Sequence, residues 1–445
     1  MLFRSGGYTG SPLNPPVSPL EGIKAAAEGK FAVNYVSYSL EEVIPTDCLR
    51  PAEGTGEGLT GHYFDNRDLA GQPVFTRLDA KVDFMWGDGS PDAKLKNDNY
   101  SVRGTGKLVA PRSGVYRLGA TTDDGVRLWL DGKQLLDNWH ERAATTNLAT
   151  VTLEAGQSYD LQMDYYEAGG TTAARLVWVM PNQAQPDVSS DDVAIVVLGL
   201  DGSIEAEGND RETLGLPDDQ EAYIKTVVAS NPRTVVVLVA GSPVAINWIK
   251  TYVPAVIQAW YPGEQGGNAI ADVLFGKYNP AGRLPMTCYR SLSQLPPFDD
   301  YDVTKGRTYM YLEKTPLFPF GHGLSYTSFA YSNLKISSKT TSATSTVKVS
   351  LDVTNVGDLD GDEVVQLYTH DVESSVKQPL KQLRGFQRVH LRKGETRRVT
   401  FNLAAVDLTY WDVDKDAFVV EPGDFDILIG ASSSGIRLRD KITVK

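Results

Sequence analysis

Five ionisable side chains crowd one short stretch near the middle of this 445-residue sequence: Asp201, Glu205, Glu207, Asp210 and Arg211. They follow directly on an apolar run, Val193–Gly199, of the kind buried on both faces of a sheet. In open α/β sheets ligands gather at the carboxyl ends of strands, which is where this stretch would lie. A carboxyl group crowded by other carboxylates has a raised pKa, the property a general acid needs to protonate a leaving group near neutral pH. Arg211 is expected to pair with Asp210 and stiffen the loop. The same residues also read as a solvated acidic loop with a local salt bridge, and the residue types alone leave both readings open.

The elements around this stretch sort into four grammars. Residues 1–52 offer a helix (Pro19–Glu28, ended by Gly29) and a short strand (Phe31–Val36), followed by the Gly-rich stretch Pro51–Gly58, which reads as a boundary. Residues 56–182 carry short alternating runs separated by turns, with Asp131-Gly132 marking a tight hairpin, and read as a β-sandwich. Residues 186–290 alternate buried strands (193–199, 234–240, 255–261) with helices (217–230, 243–250, 266–275), the pattern of a parallel sheet covered on both faces. The 1–52 segment is too small to fold alone and is expected to join this sheet, so that the β-sandwich is an insertion in the α/β domain. Residues 291–325 read as a connecting segment, and 326–445 as an immunoglobulin-like sandwich of short strands. The fold class expected is therefore multidomain, α/β plus all-β.

Composition closes off several functions. The formal net charge is −13 and there is no basic cluster, which disfavours a phosphate backbone as partner and argues against nucleic acid. No apolar run approaches the roughly 18 residues of a membrane span, and no basic segment with an apolar core marks a signal peptide. The two cysteines, Cys48 and Cys288, form no disulfide framework, and the five histidines are scattered without ligand spacing, so no zinc site is expected. Gly56-Glu57-Gly58-Leu59-Thr60-Gly61 fits a dinucleotide-binding spacing but lacks the strand before it and the helix after it. Asn99-Tyr100-Ser101 is a glycosylation sequon of a kind that arises by chance.

Glu205-Ala206-Glu207-Gly208-Asn209-Asp210-Arg211, followed by Leu214-Gly215-Leu216-Pro217 and Gln220, resembles the acid/base loop of glycoside hydrolase family 3. The resemblance extends through Gly241-Ser242-Pro243-Val244, Trp260-Tyr261-Pro262-Gly263, Gly276–Pro285, Gly306–Tyr311 and Pro319–Thr327, and from Val17–Ile23 near the start. The tail, from Leu383-Arg384-Gly385-Phe386 to Trp411-Asp412, is similar to that family's fibronectin type III-like domain. Gly61–Asp65, Thr122–Gly132 and Asp137-Asn138-Trp139 resemble a protective-antigen-type, lectin-like domain, which some β-glucosidases of the family carry inserted at this point. In certain sugar-binding relatives an Asp pair like Asp123-Asp124 holds calcium; Asp-Asp-Gly is equally a hairpin turn.

The resemblance implies a retaining β-glycosidase, most simply a β-glucosidase, with a β-xylosidase or a non-catalytic carbohydrate-binding protein as alternatives. Glu207, directly before a glycine, maps to the acid/base; Glu205 is the alternative. No metal or organic cofactor is implied. A β-glucoside or oligosaccharide is the expected substrate. The family's nucleophile, an Asp usually followed by Trp, and a sugar-binding Lys-His pair lie on a separate N-terminal (β/α)8 barrel. None of the seven tryptophans here follows an Asp and no histidine follows a lysine, so the chain reads as the C-terminal portion of a longer enzyme. An N-terminal barrel domain is the expected partner, docking on a face around Glu207 and Trp260–Gly263, through which the chain is also expected to self-associate. Alone, it is expected to turn over little substrate.

Overall fold

The computed structural model describes residues 15–36, 41–142, 144–170, 172–181, 188–201, 204–205 and 210–445. Its α/β unit starts with helix α1 (Pro19–Ala27), whose first turn is fixed by a reciprocal cap. Ser18 Oγ accepts from the Glu21 amide at 3.2 Å, and the Glu21 carboxylate accepts from the Ser18 amide at 2.8 Å. Pro19 occupies the first helical position, where its missing N–H costs nothing. Later in the chain come β1 (Ala194–Gly199), α2 (Asp218–Ser230), β2 (Thr234–Val239), α3 (Asn247–Tyr252), β3 (Ala255–Gln258) and α4 (Gly266–Leu274). The three strands pair in parallel in the order β1-β2-β3.

β1 and β2 are apolar on both faces, and the two faces meet different layers. Ala194, Val196, Leu198, Val236 and Leu238 pack with Ile224 and Val227 of α2 and Ile249 of α3. Val237 and Val239 pack the other way, against Ile270 of α4. Helix α1 lies on α4 at unusually short range. A Cβ on Gly22 would fall 2.1 Å from the Gly267 carbonyl oxygen, and one on Gly267 would fall 2.0 Å from that of Ser18, so only glycine permits the contact. Backbone bonds from Val17 N–H to Glu264 and from Gly267 N–H to Val17 lock the pair.

Between α1 and β1 the chain builds two facing antiparallel sheets around a core that includes Leu49, Tyr63, Tyr100, Tyr116, Leu128 and Trp178. Asp131 and Gly132 both have positive φ, +47° and +75°, as the hairpin joining Val126–Leu130 to Lys133–Asn138 demands. Two expectations need correction. The stretch 51–58 is no boundary: Glu42–Val43 already pairs with Val177–Trp178, and Leu49–Pro51 with Gly106–Leu108. Ile44 and Leu49 enter the core, and the glycines form an excursion between two strands, Leu49–Pro51 and Leu59–Phe64, that share the partner Tyr100–Val109. Residues 31–36 form no strand. Phe31, Tyr35 and Val36 are exposed, because no sheet edge pairs with them among the described residues.

The C-terminal unit packs a three-stranded sheet (Phe329–Ile336, Thr346–Asn355, Thr396–Ala404) on a five-stranded one. Along Thr346–Asn355 every second residue, from Val347 to Val353, is buried, as strict alternation requires. No helix among the described residues is long and apolar enough to cross a membrane.

Candidate active site

The carboxyl ends of β1, β2 and β3 converge on Glu205. At the end of β1, Gly199 has φ +155°, and a Cβ there would collide with the Val239 carbonyl. Gln220 on α2 clamps it: Gly199 N–H donates to Gln220 Oε1 at 2.9 Å, and Gln220 Nε2 donates back to Gly199 O at 2.8 Å. The chain then turns, Ile204 and Glu205 amides both donating to the Asp201 carbonyl at 3.0 Å.

This turn directs Glu205 inward, with 14 % of its side chain exposed. From the loop after β2, Gly241 N–H donates to Glu205 Oε1 at 2.6 Å, and Ser242 Oγ donates a short hydrogen bond to Oε2. From the end of β3, Tyr261 OH donates to Oε1 at 2.9 Å. Trp260 takes φ +54°, uncommon for a bulky residue, and bends the chain so that Tyr261 reaches the carboxylate. Arg211 Nε lies 3.5 Å from Oε2, while its Nη2 donates to Ser242 Oγ at 2.8 Å and to the Pro243 carbonyl at 3.0 Å.

These contacts decide the protonation of Glu205. Burial opposes its charge, but the hydrogen bonds from Ser242, Tyr261 and the Gly241 amide, together with the Arg211 charge, outweigh it. The carboxyl is held below the ordinary glutamate value. Burial and the bond to Glu205 push the Tyr261 phenol up to about 12. The carboxylate crowding expected to raise Glu205 is therefore overridden, and Arg211, expected on Asp210, reaches Glu205 and Ser242 instead while Asp210 is exposed. Glu207 lies outside the described residues. Sequence reasoning did not foresee the roles of Gly241, Ser242 and Tyr261, although their motifs stood out; they lie 36 to 56 residues from Glu205.

At the tip of the inserted sandwich, Asp124 is buried at φ +65°, its Oδ1 accepting from the Arg142 amide at 3.1 Å and its Oδ2 from the Ala168 amide at 2.6 Å. Its carboxylate thus braces loops. Among the described residues, no group of three or more His, Cys, Asp and Glu side chains is placed to hold a metal ion. In the sequon, Ser101 is buried and its hydroxyl donates to the Asn66 carbonyl at 2.6 Å.

Comparison with known proteins bears on these features. Residues 3–326 match the glycosyl hydrolase family 3 C-terminal domain, and residues 363–433 match the fibronectin type III-like domain. The chain is 31 % identical over 463 residues to a xylan 1,4-β-xylosidase of Xylanibacter ruminicola, covering 99 % of this chain and 52 % of that protein. It is 32 % identical over 458 residues to a β-glucosidase of Rhizobium radiobacter, covering 95 % and 55 %. The crystal structure of a β-glucosidase from Kluyveromyces marxianus in complex with glucose superposes with a TM-score of 0.67 at 28 % identity, covering all of this chain and 57 % of that one. The chain spans about half the length of the curated relatives it matches. The chain, with a parallel α/β unit whose strand ends converge on a half-buried glutamate and a fibronectin type III-like sandwich after it, thus belongs to glycosyl hydrolase family 3.

Proposed function

We propose that this chain is the acid/base-bearing half of a retaining β-glycosidase acting on β-glucosides, with Glu207 as the proton donor and Glu205 as the anchor of its loop. The observation that carries the assignment is the saturation of Glu205. A carboxylate with three hydrogen-bond donors and a guanidinium, held ionised, has neither the proton to give nor a free face toward a substrate. The proton-donor role then falls to Glu207, two residues further along the same loop. In a retaining mechanism Glu207 protonates the departing oxygen, then removes a proton from the water that releases the glycosyl-enzyme, and a second carboxylate roughly 5–5.5 Å away attacks the sugar. The resemblance to the family puts that nucleophile, an Asp, on an N-terminal barrel, so the barrel domain is the partner this reading requires. The inserted sandwich is read as a protective-antigen-type domain at the entrance to the site.

The test combines the chain with a purified family 3 barrel domain and follows release of p-nitrophenol from β-glucoside and β-xyloside substrates. The chain alone is expected to be inactive, and the mixture active. Glu207→Gln should lower kcat/KM by about 10²–10⁴ for substrates with poor leaving groups. The kcat/KM loss should nearly vanish for 2,4-dinitrophenyl glycosides, whose leaving group needs no proton, while their kcat stays low because the water that releases the glycosyl-enzyme has lost its base. Glu205→Gln should lower activity without that dependence on the leaving group. Robust turnover by the chain alone, or a leaving-group dependence that follows Glu205, overturns the reading.

A further inference from the structure

An arginine withdrawn from water beside a proton donor is a problem of charge. Arg211 keeps only 12 % of its side chain exposed. Its Nη2 goes to two uncharged acceptors, Ser242 Oγ and the Pro243 carbonyl, and its Nη1 is buried without a hydrogen-bond partner. Among the described residues, the carboxylate that answers its charge is Glu205, 3.5 Å from Nε. The contact is offset rather than bidentate, which makes it a weak clasp. Cancelling a charge, by contrast, needs no close geometry.

The place of this pair in the chain gives it a second consequence. Glu207 comes two residues after Glu205 and four before Arg211. At no more than about 3.6 Å per residue, the chain keeps the Glu207 backbone within about 7 Å of that of Glu205 and about 14 Å of that of Arg211. Two unit charges about 10 Å apart, at an effective dielectric of about 20, move a titration by roughly one unit. An unanswered guanidinium at this range would ionise the donor before the departing oxygen takes its proton. An unanswered carboxylate would keep it protonated when the second step calls for a base. The other groups facing the pair change this little. Asp201 at the end of β1, and Asp210 and Glu212 beside Arg211, are exposed and screened by water and salt. The end of β2 brings Gly241, Ser242 and Pro243, which carry no charge. The end of β3 brings Tyr261, whose phenol, pushed up to about 12 by burial and by Glu205, stays neutral. Burial opposes the charge of Glu205 itself, but its hydrogen bonds keep it ionised.

We infer that Glu205 and Arg211 serve the reaction as one neutral pair, each cancelling the charge that the other would impose on the proton donor of their loop. Both are positioning residues, which act through Glu207 and need no contact with the sugar. This rests on the proposed function, which makes Glu207 that donor. It predicts something that anchoring alone does not. Deleting either partner of a clasp harms the loop in the same sense, whereas deleting either partner of a neutral pair shifts the donor in opposite directions, and deleting both shifts it nowhere.

The test is a charge cycle read by carbon-13 NMR on the full chain, labelled at its glutamate carboxyl carbons, with the Glu207 signal identified by its loss in Glu207→Gln. Glu205→Gln keeps the shape and an acceptor for Ser242 and Tyr261, and should lower the Glu207 titration midpoint by roughly one unit. Arg211→Met should raise it by a similar amount, and Arg211→Gln, which keeps N–H donors, repeats that measurement should the apolar side chain disturb the loop. Glu205→Gln combined with Arg211→Met should return the midpoint close to that of wild type. Arg211→Lys keeps the charge but loses the fork that reaches Ser242 and Pro243, and should also stay close to wild type. Midpoints that do not move, single variants that shift in the same direction, a double variant that does not return, or a Lys variant that behaves like Met would each overturn the inference. These titrations need no turnover, so they stand apart from the leaving-group comparison, which tests whether Glu207 is the donor at all. That comparison belongs at a pH below the midpoint of every variant, where Glu207 is protonated in all of them.

Discussion

Glu205 is half-buried and Glu167 fully buried, and their surroundings drive the two carboxyl groups in opposite directions. Glu205 is held below the ordinary value, so its contribution to stability is fully present above the unfolded pKa near 4.5 and is lost as pH falls through the folded value. Glu205→Ala should cost about 2–4 kcal/mol at pH 7, because it strands Arg211 and three donors, and the difference from wild type should shrink below pH 4. Urea unfolding at the two pH values measures both. Glu167, at the tip of the inserted sandwich, accepts from Tyr165 OH at 2.8 Å and from the Gly169 amide at 2.9 Å. Burial raises its pKa, the Tyr165 bond opposes, and the Asp124 and Asp123 charges add to the rise, giving about 7; Asp123 itself is raised to about 6, chiefly by burial. The sign is reversed: the stability this group contributes is greatest below pH 4.5 and declines as pH rises toward 7. Glu167→Gln should remove most of that slope, of order 3 kcal/mol. A wild-type melting temperature that holds steady between pH 5 and 7.5 would contradict this.

Elements were legible where local pattern and long-range pairing agree. The apolar runs at 194–199 and 234–239 could hardly be anything but buried strands, and Asp131-Gly132 could hardly be anything but a hairpin. Residues 42–51, counted with the 1–52 segment of the α/β domain, misled because Glu42, Pro45, Asp47, Arg50 and Pro51 break any alternation; only pairing with residues more than fifty positions away shows Ile44 and Leu49 to be core of the sandwich. Residues 31–36 misled in the opposite sense, having strand composition without a partner. The candidate site was half legible: the loop and its acidic residues were plain, but the donors that neutralise Glu205 come from two other strand ends. The glycine contact between α1 and α4 was invisible for the same reason. It is also sharply testable. Gly267→Ala would drive a methyl into the Ser18 carbonyl and should cost about 1–3 kcal/mol, loosening α1. Limited proteolysis should then cut faster between residues 28 and 36, whereas Gly276→Ala, with open space around its Cβ, should leave that cleavage unchanged although its positive φ strains the turn.

Across the whole molecule, the α/β unit and the C-terminal sandwich are joined by a seam of buried polar groups. Arg283 Nη2 meets Glu363 Oε1 at 2.7 Å, with the side chains only 10 % and 6 % exposed, and the same oxygen accepts from the Val364 amide. Gln366 Nε2 donates to the Gly321 carbonyl at 3.2 Å. Asn279 donates to the Asp360 carbonyl at 2.9 Å and accepts from Ser325 and Tyr326. A pair this dry is costly to assemble, and Arg283 Nε finds no hydrogen-bond partner. Its net contribution to stability is therefore small, but breaking it from one side leaves a buried charge. Glu363→Ala should destabilise the chain by about 3–5 kcal/mol and split a single calorimetric transition into two, because the stranded Arg283 weakens the seam before either core melts. The double replacement Arg283→Met with Glu363→Leu fills the same space without charge and should recover most of that loss along with the single transition. If the single and double variants melt alike, the seam owes its strength to the Asn279 and Gln366 hydrogen bonds, and the ion pair is incidental to how the two units move together.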